Sequence, residues 1–103
     1  MLTAAAIEGY KQYTERTIYR AQYKVGSTWR DAVITKKERL KDGRVAVYFA
    51  VFPQSTSATT VSGVRLYDKA GNLWAEKAES ITISATQEGI LYRFTFDFHE
   101  EET

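Results

Sequence analysis

The sequence contains no cysteine, and among its 103 residues there is one proline and one histidine. Without cysteine there is no disulfide framework, no thiol nucleophile and no cysteine-based zinc site. A Ser-His-Asp arrangement needs a well-placed histidine, but His99 stands beside three glutamates near the C-terminal end. We interpret it as a tail residue rather than a catalytic or metal-binding one, because a chain end does not hold geometry.

The sequence also has little net charge, since 14 basic and 13 acidic residues leave a net charge of +1. Such a balance produces no field that would attract nucleic acid or anionic lipid. No run approaches 18 apolar residues, and the first residues lack the pattern of a signal peptide. The glycines follow no Walker or Rossmann spacing. We therefore predict a soluble, non-enzymatic chain with no catalytic, cofactor-binding or metal-binding residues.

What the sequence does have is apolar and aromatic content, 44% and 14% of the residues. This is enough for one packed core, so we predict a single domain over 1–103. The stretch "LTAAAIEGYKQY" predicts a short N-terminal helix capped by Thr3, so that residues 1–14 are a helix or a variable extension. Residues 99–103 are predicted to be a frayed acidic tail.

From residue 17 onward the apolar residues recur with period two, which is typical of strands. The last strand, "ILYRFTFDFH" from residue 90, has the cleanest alternation, while "RVAVYFAVF" is apolar on both faces and is predicted to be central. The other predicted strands span 17–25, 29–40, 61–67, 73–77 and 80–85. About seven short strands indicate a mainly β fold, an antiparallel sandwich or small barrel.

Two turns set the predicted registers. Asp42-Gly43 in "KDGR" favours a two-residue type I′ hairpin, which would place Leu40 opposite Val45 and Ile34 opposite Val51. The polar run "TKKER" (35–39) would then be an exposed edge beside the central strand, where lysines discourage edge-to-edge pairing. A phosphate-binding patch is the alternative interpretation of that run.

The second turn lies in "GVRLYDKAGNLWAEK" (63–77), where Asp68 and Gly71-Asn72 are residues that turns require. If Tyr67 lies opposite Leu73, then Leu66 lies opposite Trp74, and we expect the Trp74 ring to be mostly buried there. The aromatic residues beside the turns could also stack on a ligand. The candidate ligand or partner contacts are Trp29, Trp74, Tyr67 and Asn72.

Three stretches of the chain are similar to a family of small proteins encoded by phages and prophages of Gram-positive bacteria. They are "DAVITKKERLKDGRVAVYFAVF", "VSGVRLYDKAGNLWAEKAESI" and "QEGILYRFTF", and the likeness extends over residues 12 to 98. Family genes tend to lie among late structural genes. Some members carry the label ketopantoate hydroxymethyltransferase, which does not fit here, because that enzyme is expected to be a (β/α)₈ barrel of about 250 residues.

The resemblance implies a phage structural or accessory protein, associated with the tail and acting through protein–protein contacts. Its partners would be other phage structural proteins or further copies of the chain. It would be made in the bacterial cytoplasm and then enter the virion. The alternative hypothesis is a carbohydrate- or cell-wall-binding module that uses exposed aromatic rings.

Overall fold

The computed structural model describes residues 3–52, 58–84 and 89–97. Its elements are α1 (Ala4–Thr17), β1 (Ile18–Val25), β2 (Thr28–Ala32), β3 (Ile34–Arg39), β4 (Val45–Val51), β5 (Thr59–Asp68), β6 (Leu73–Ile83) and β7 (Ile90–Phe96). The strands form two antiparallel sheets, ordered β2-β1-β5-β6 and β3-β4-β7. The prediction of a mainly β fold is confirmed, and the two packed sheets form a sandwich rather than a closed barrel. Phe98, the predicted tail with His99, and most of the proline-containing loop lie outside the described residues.

The core lies between the two sheets and is filled by alternating residues of their inner faces. Phe49 of β4 is fully buried and its ring lies 5.1 Å from that of Tyr92 on β7. The predicted alternation of β7 is confirmed for Tyr92 and Phe94, which are buried, while Leu91 between them is exposed. β4 lies in the middle of its sheet, as its doubly apolar pattern predicted.

The predicted strand 29–40 is wrong as a single element. The chain forms β2 as far as Ala32, leaves that sheet at Val33, and begins β3 in the other sheet at Ile34. β2 pairs with β1, whereas β3 pairs with β4. The chain therefore crosses from one sheet to the other at Val33, a residue that is 79% exposed.

The predicted strands 73–77 and 80–85 are also wrong, because β6 is one strand from Leu73 to Ile83. Its pairing with β5 shifts between Val61 and Gly63. The extra residues of this β-bulge interrupt the alternation that would otherwise mark one strand. A similar irregularity at the start of β1 leaves Tyr19 exposed, although simple alternation placed it on the face of the buried Ala21.

The turn at Asp42-Gly43 is a three-residue loop and not the predicted two-residue type I′ turn. Leu40 pairs with Arg44 through its N–H, and the N–H of Gly43 donates to the carbonyl of Leu40. Within this loop only Gly43 has positive φ, as expected for a type I turn followed by a left-handed glycine. The longer loop shifts the predicted register by one residue.

A further register irregularity between Ile34 and Lys36 adds a second residue of displacement, so that Ile34 lies opposite Phe49 rather than Val51. The loop after β5 repeats the same hydrogen bonds between Asp68, Gly71 and Asn72. There the predicted pairing of Tyr67 with Leu73 is confirmed.

The N-terminal helix is confirmed and is longer than predicted. The hydroxyl of Thr3 accepts a hydrogen bond from the N–H of Ala6, and the helix continues to Thr17, where β1 follows at once. α1 lies at the end of the sandwich that carries both three-residue loops, since it contacts the end of β3 and the start of β6. Within the described residues, no helix has the length and apolarity needed to cross a membrane.

Candidate functional site

An open cleft of about 380 Å³ lies between α1 and the first residues of β6. Its walls are Tyr10, Tyr13 and Thr14 from the helix and Trp74 from the strand. The three helical residues have the spacing i, i+3 and i+4, which places their side chains on one face. Clefts of this volume are in the range that ligand and side-chain pockets occupy.

Trp74 reaches the cleft because β6 is bulged beside it. Tyr67 pairs with Leu73 and Leu66 pairs with Ala75, so Trp74 is the extra residue between the two pairs. A bulge changes the direction of a side chain that regular alternation would send elsewhere. The prediction that Trp74 lies opposite Leu66 and is buried there is therefore wrong, and its side chain is 38% exposed.

The rings of Tyr13 and Trp74, which both line the cleft, stack on each other. Their centroids are 5.6 Å apart and their planes differ by 12°. Tyr10 and Tyr13 are each about half exposed, whereas Thr14 is buried. The Thr14 hydroxyl donates to the Tyr10 carbonyl at 2.9 Å, so its hydrogen bond is satisfied inside the helix. What the cleft offers a ligand is mainly aromatic surface.

Ion pairs hold the helix that supplies this surface. Arg39 of β3 donates to both carboxylate oxygens of Glu8, at 2.8 and 2.7 Å, and to those of Glu15 at 3.1 and 2.9 Å. Such bidentate pairs fix geometry as well as charge. The hydrogen bonds from Arg39 lower the pKa of Glu8 below its ordinary value.

Lys37, two residues before Arg39 on the same side of β3, donates to the backbone carbonyls of Glu15 and Ile18. Burial lowers its pKa. The run "TKKER" belongs to an edge strand, as predicted. Two of its cations, Lys37 and Arg39, bind the helix. Sequence reasoning missed this contact, because nothing in the local pattern pairs residue 39 with residues 8 and 15.

Trp29 and Tyr67 lie on the outer face of the four-stranded sheet, away from the cleft. The guanidinium of Arg65 lies 3.9 Å from the Trp29 ring centroid, and that of Arg20 lies 4.9 Å from the centroid of Tyr67. Trp29 also covers Gly63, where an added Cβ would come within 3.2 Å of the ring. Both rings are thus occupied by cation–π contacts of the sheet itself.

Asn72 is a turn residue. Its backbone N–H and its side-chain amide both donate to Asp68, at 2.8 and 3.1 Å. The backbone hydrogen bond from Asn72 lowers the pKa of Asp68. The structure therefore does not bring the four candidate residues together, and Trp74 alone reaches the cleft. The spacing of Tyr10 and Tyr13, three residues apart on a predicted helix, was the signal in the sequence that could have identified them as further residues of one site.

In the parts of the chain that the structure describes, no group of three or more His, Asp or Glu side chains is placed to hold a metal ion. No protein-family model matches the sequence, and no curated protein or solved structure is significantly similar to it.

Proposed function

We propose that this chain is a non-enzymatic structural or accessory protein that works through protein–protein contacts, with the aromatic cleft as its docking site. The observation that carries the proposal is the cleft itself, where the exposed parts of the Tyr10, Tyr13 and Trp74 rings form an open aromatic surface. Exposed apolar surfaces bounded by polar residues are typical of interaction sites. Aromatic residues also dominate the energetics of protein interfaces.

The expected ligand is an apolar side chain on a segment of the partner. The Thr14 hydroxyl is already bonded to the Tyr10 carbonyl, so a polar ligand would find few partners on the cleft wall. An aliphatic or aromatic side chain would instead lose its water against the three rings. The biological setting in this proposal is a phage or prophage particle, with a tail-associated role, as the family resemblance implies.

A matched pair of substitutions tests the role of the cleft. Tyr10→Ala removes a cleft ring, and Tyr19→Ala removes a similarly exposed ring on β1 outside the cleft. Phage particles produced from the genome that encodes the chain are purified, and the bound protein is quantified by mass spectrometry. We expect Tyr10→Ala to lower its retention about tenfold or more, as for an interface hot spot, and Tyr19→Ala to leave it unchanged.

Two results would contradict the proposal. If the wild-type protein is absent from purified particles and from assembly intermediates, the structural assignment fails. If both alanine variants are retained like the wild type, the protein is in the particle but the cleft does not dock it.

Carbohydrate binding is the second candidate, and the exposed ring of Trp74 beside an open cleft favours it. Sugar rings stack on such aromatic faces, but they also need hydrogen-bonding groups close by. Asn72, two residues before Trp74, is bonded to Asp68 instead. A glycan array that includes bacterial wall polymers tests this function, with Trp74→Ala as the control. No signal from the wild-type protein would eliminate it.

A further inference from the structure

Among the strands that the structure describes, four lie at sheet edges, β2 and β6 in one sheet and β3 and β7 in the other. Exposed edges are liable to pair with other strands, and proteins protect them with charges, bulges or short length. β2 has only five residues and carries Arg30 and Asp31. β3 is rich in charge, has a register irregularity after Ile34, and binds the helix through Lys37 and Arg39. Both strands are protected.

β6 is protected as well, because its pairing with β5 has two register irregularities and its sequence includes Glu76, Lys77 and Glu79. β7 differs from the other three edges. It pairs with β4 in unbroken register over its whole length, and Arg93 is its one charged residue. Leu91, on the outer face, is 61% exposed. Of the strands that the structure describes, β4 is the only one that pairs with β7.

We propose that the edge of β7 over residues 90–94 pairs with the same edge of a second copy of this chain. Two antiparallel β7 strands related by a two-fold axis would join the three-stranded sheets into one sheet of six strands. This surface is separate from the aromatic cleft, so the proposal goes beyond the docking function. Backbone hydrogen bonds supply the attraction, as in other cases of strand addition.

The two-fold axis passes through Tyr92. An axis at Arg93 would place the two guanidinium groups directly opposite each other, and like charges in that position are destabilising. A shift to Tyr92 places Leu91 opposite Arg93 of the second copy and Ile90 opposite its Phe94. Core-face residues then stay on the core face, because side chains alternate with period two. The alkyl stem of Arg93 covers the exposed Leu91.

A second copy is the occupant because this segment is complementary to itself in that register. The contact is one strand edge, at the low end of interface areas, so a weak dimer is expected. We expect the molecular mass measured by sedimentation velocity to rise toward that of a dimer between about 1 µM and about 1 mM.

A charge pair at residue 91 tests the register. Leu91→Lys and Leu91→Glu remove the same exposed side chain. Because the dimer is symmetric, it contains two pairs of residue 91 with Arg93 of the other copy. A lysine would be repelled in both pairs, and a glutamate would be attracted in both. We expect the lysine variant to dimerise about tenfold more weakly than the glutamate variant, since two cross-strand pairs change sign together. Val33→Lys, an exposed position between β2 and β3, is the control and should dimerise like the wild type.

A wild-type protein that stays monomeric over the whole range would overturn the proposal. Equal weakening by lysine and glutamate would also overturn it, because it would indicate an apolar contact of Leu91 without the stated register. If Val33→Lys weakened dimerisation, the interface would lie near Val33 and not at β7, which would also contradict the proposal. Tyr10→Ala should leave dimerisation unchanged, so the docking function and this dimer can fail independently.

Discussion

Single residues decide how the turns and the cleft are shaped. Gly43 and Gly71 have φ of 89° and 90°, a backbone region that other residues rarely adopt. Each closes a three-residue loop at the end of the sandwich where α1 lies. The second loop leads directly into the bulge that presents Trp74. The conformation of one glycine is therefore linked to the geometry of the candidate site.

Two Gly→Ala changes should have opposite effects on stability. Gly71→Ala should lower the free energy of unfolding by about 1 kcal/mol, because alanine is strained at positive φ. Gly9→Ala should raise it by about 0.5 to 1 kcal/mol, since Gly9 lies within α1 and an added Cβ would meet no neighbouring atom. Urea denaturation followed by circular dichroism measures both. A stabilising Gly71→Ala would contradict the loop geometry.

At the scale of elements, α1 is attached to the sandwich mainly by polar contacts. Arg39 pairs with Glu8 and Glu15, and Lys37 bonds to two carbonyls near the end of the helix. The stack of Tyr13 on Trp74 is the aromatic contact between the helix and β6. The helix forms one wall of the cleft, so these contacts help to hold that wall in place.

Acid should release α1 before it unfolds the sandwich. The pKa of Glu8 is lowered in the folded state by its hydrogen bonds with Arg39. This stabilisation is present above the ordinary glutamate pKa of 4.5 and is lost as the pH falls through the lowered pKa of the folded state. We expect the fluorescence of Trp74, measured in a Trp29→Phe background, to change below about pH 4.5 while the β signal in circular dichroism persists.

Glu8→Gln is the control for this transition. It removes the titrating carboxylate, so the acid transition at Trp74 should weaken or disappear. An unchanged transition would assign it to another group, since hydrogen bonds with Arg44 and Asn72 also lower the pKa values of Asp42 and Asp68.

At the scale of the whole molecule, one core holds two sheets together. Phe49, Val64 and Leu66 are fully buried between them, and Ile18 connects the end of the helix to the same core. The sheets carry separate surfaces, because the cleft lies beside β6 of one sheet and the strand edge proposed for dimerisation belongs to β7 of the other. Both surfaces therefore depend on the same packing.

Phe49→Ala should lower the free energy of unfolding by about 3 to 5 kcal/mol, since it leaves a cavity between the sheets. Tyr19→Ala, at an exposed ring, should change it by less than about 0.5 kcal/mol. Urea denaturation followed by both tryptophan fluorescence and circular dichroism makes the comparison. Transitions that do not coincide would contradict a single cooperative core.

Much of the fold follows from local patterns in the chain. The cap at Thr3 begins the helix, the unbroken alternation from Ile90 identifies β7, and the doubly apolar run 45–51 identifies a central strand. Both hairpins were also located, because glycine and asparagine or aspartate at a turn carry a local conformational requirement. These features depend on neighbours a few residues apart, so periodicity and turn chemistry are sufficient to find them.

The candidate site depended on contacts between distant segments. Trp74 faces the helix because β6 bulges against β5, and the helix stays in place because Arg39 meets Glu8 and Glu15, 31 and 24 residues away. The crossing at Val33 likewise follows from which strands β2 and β3 find as partners. Bulges, the assignment of strands to sheets and ion pairs between elements depend on how distant segments pack. The local periodicity of the sequence does not contain this information, so the cleft could be identified only from the tertiary structure.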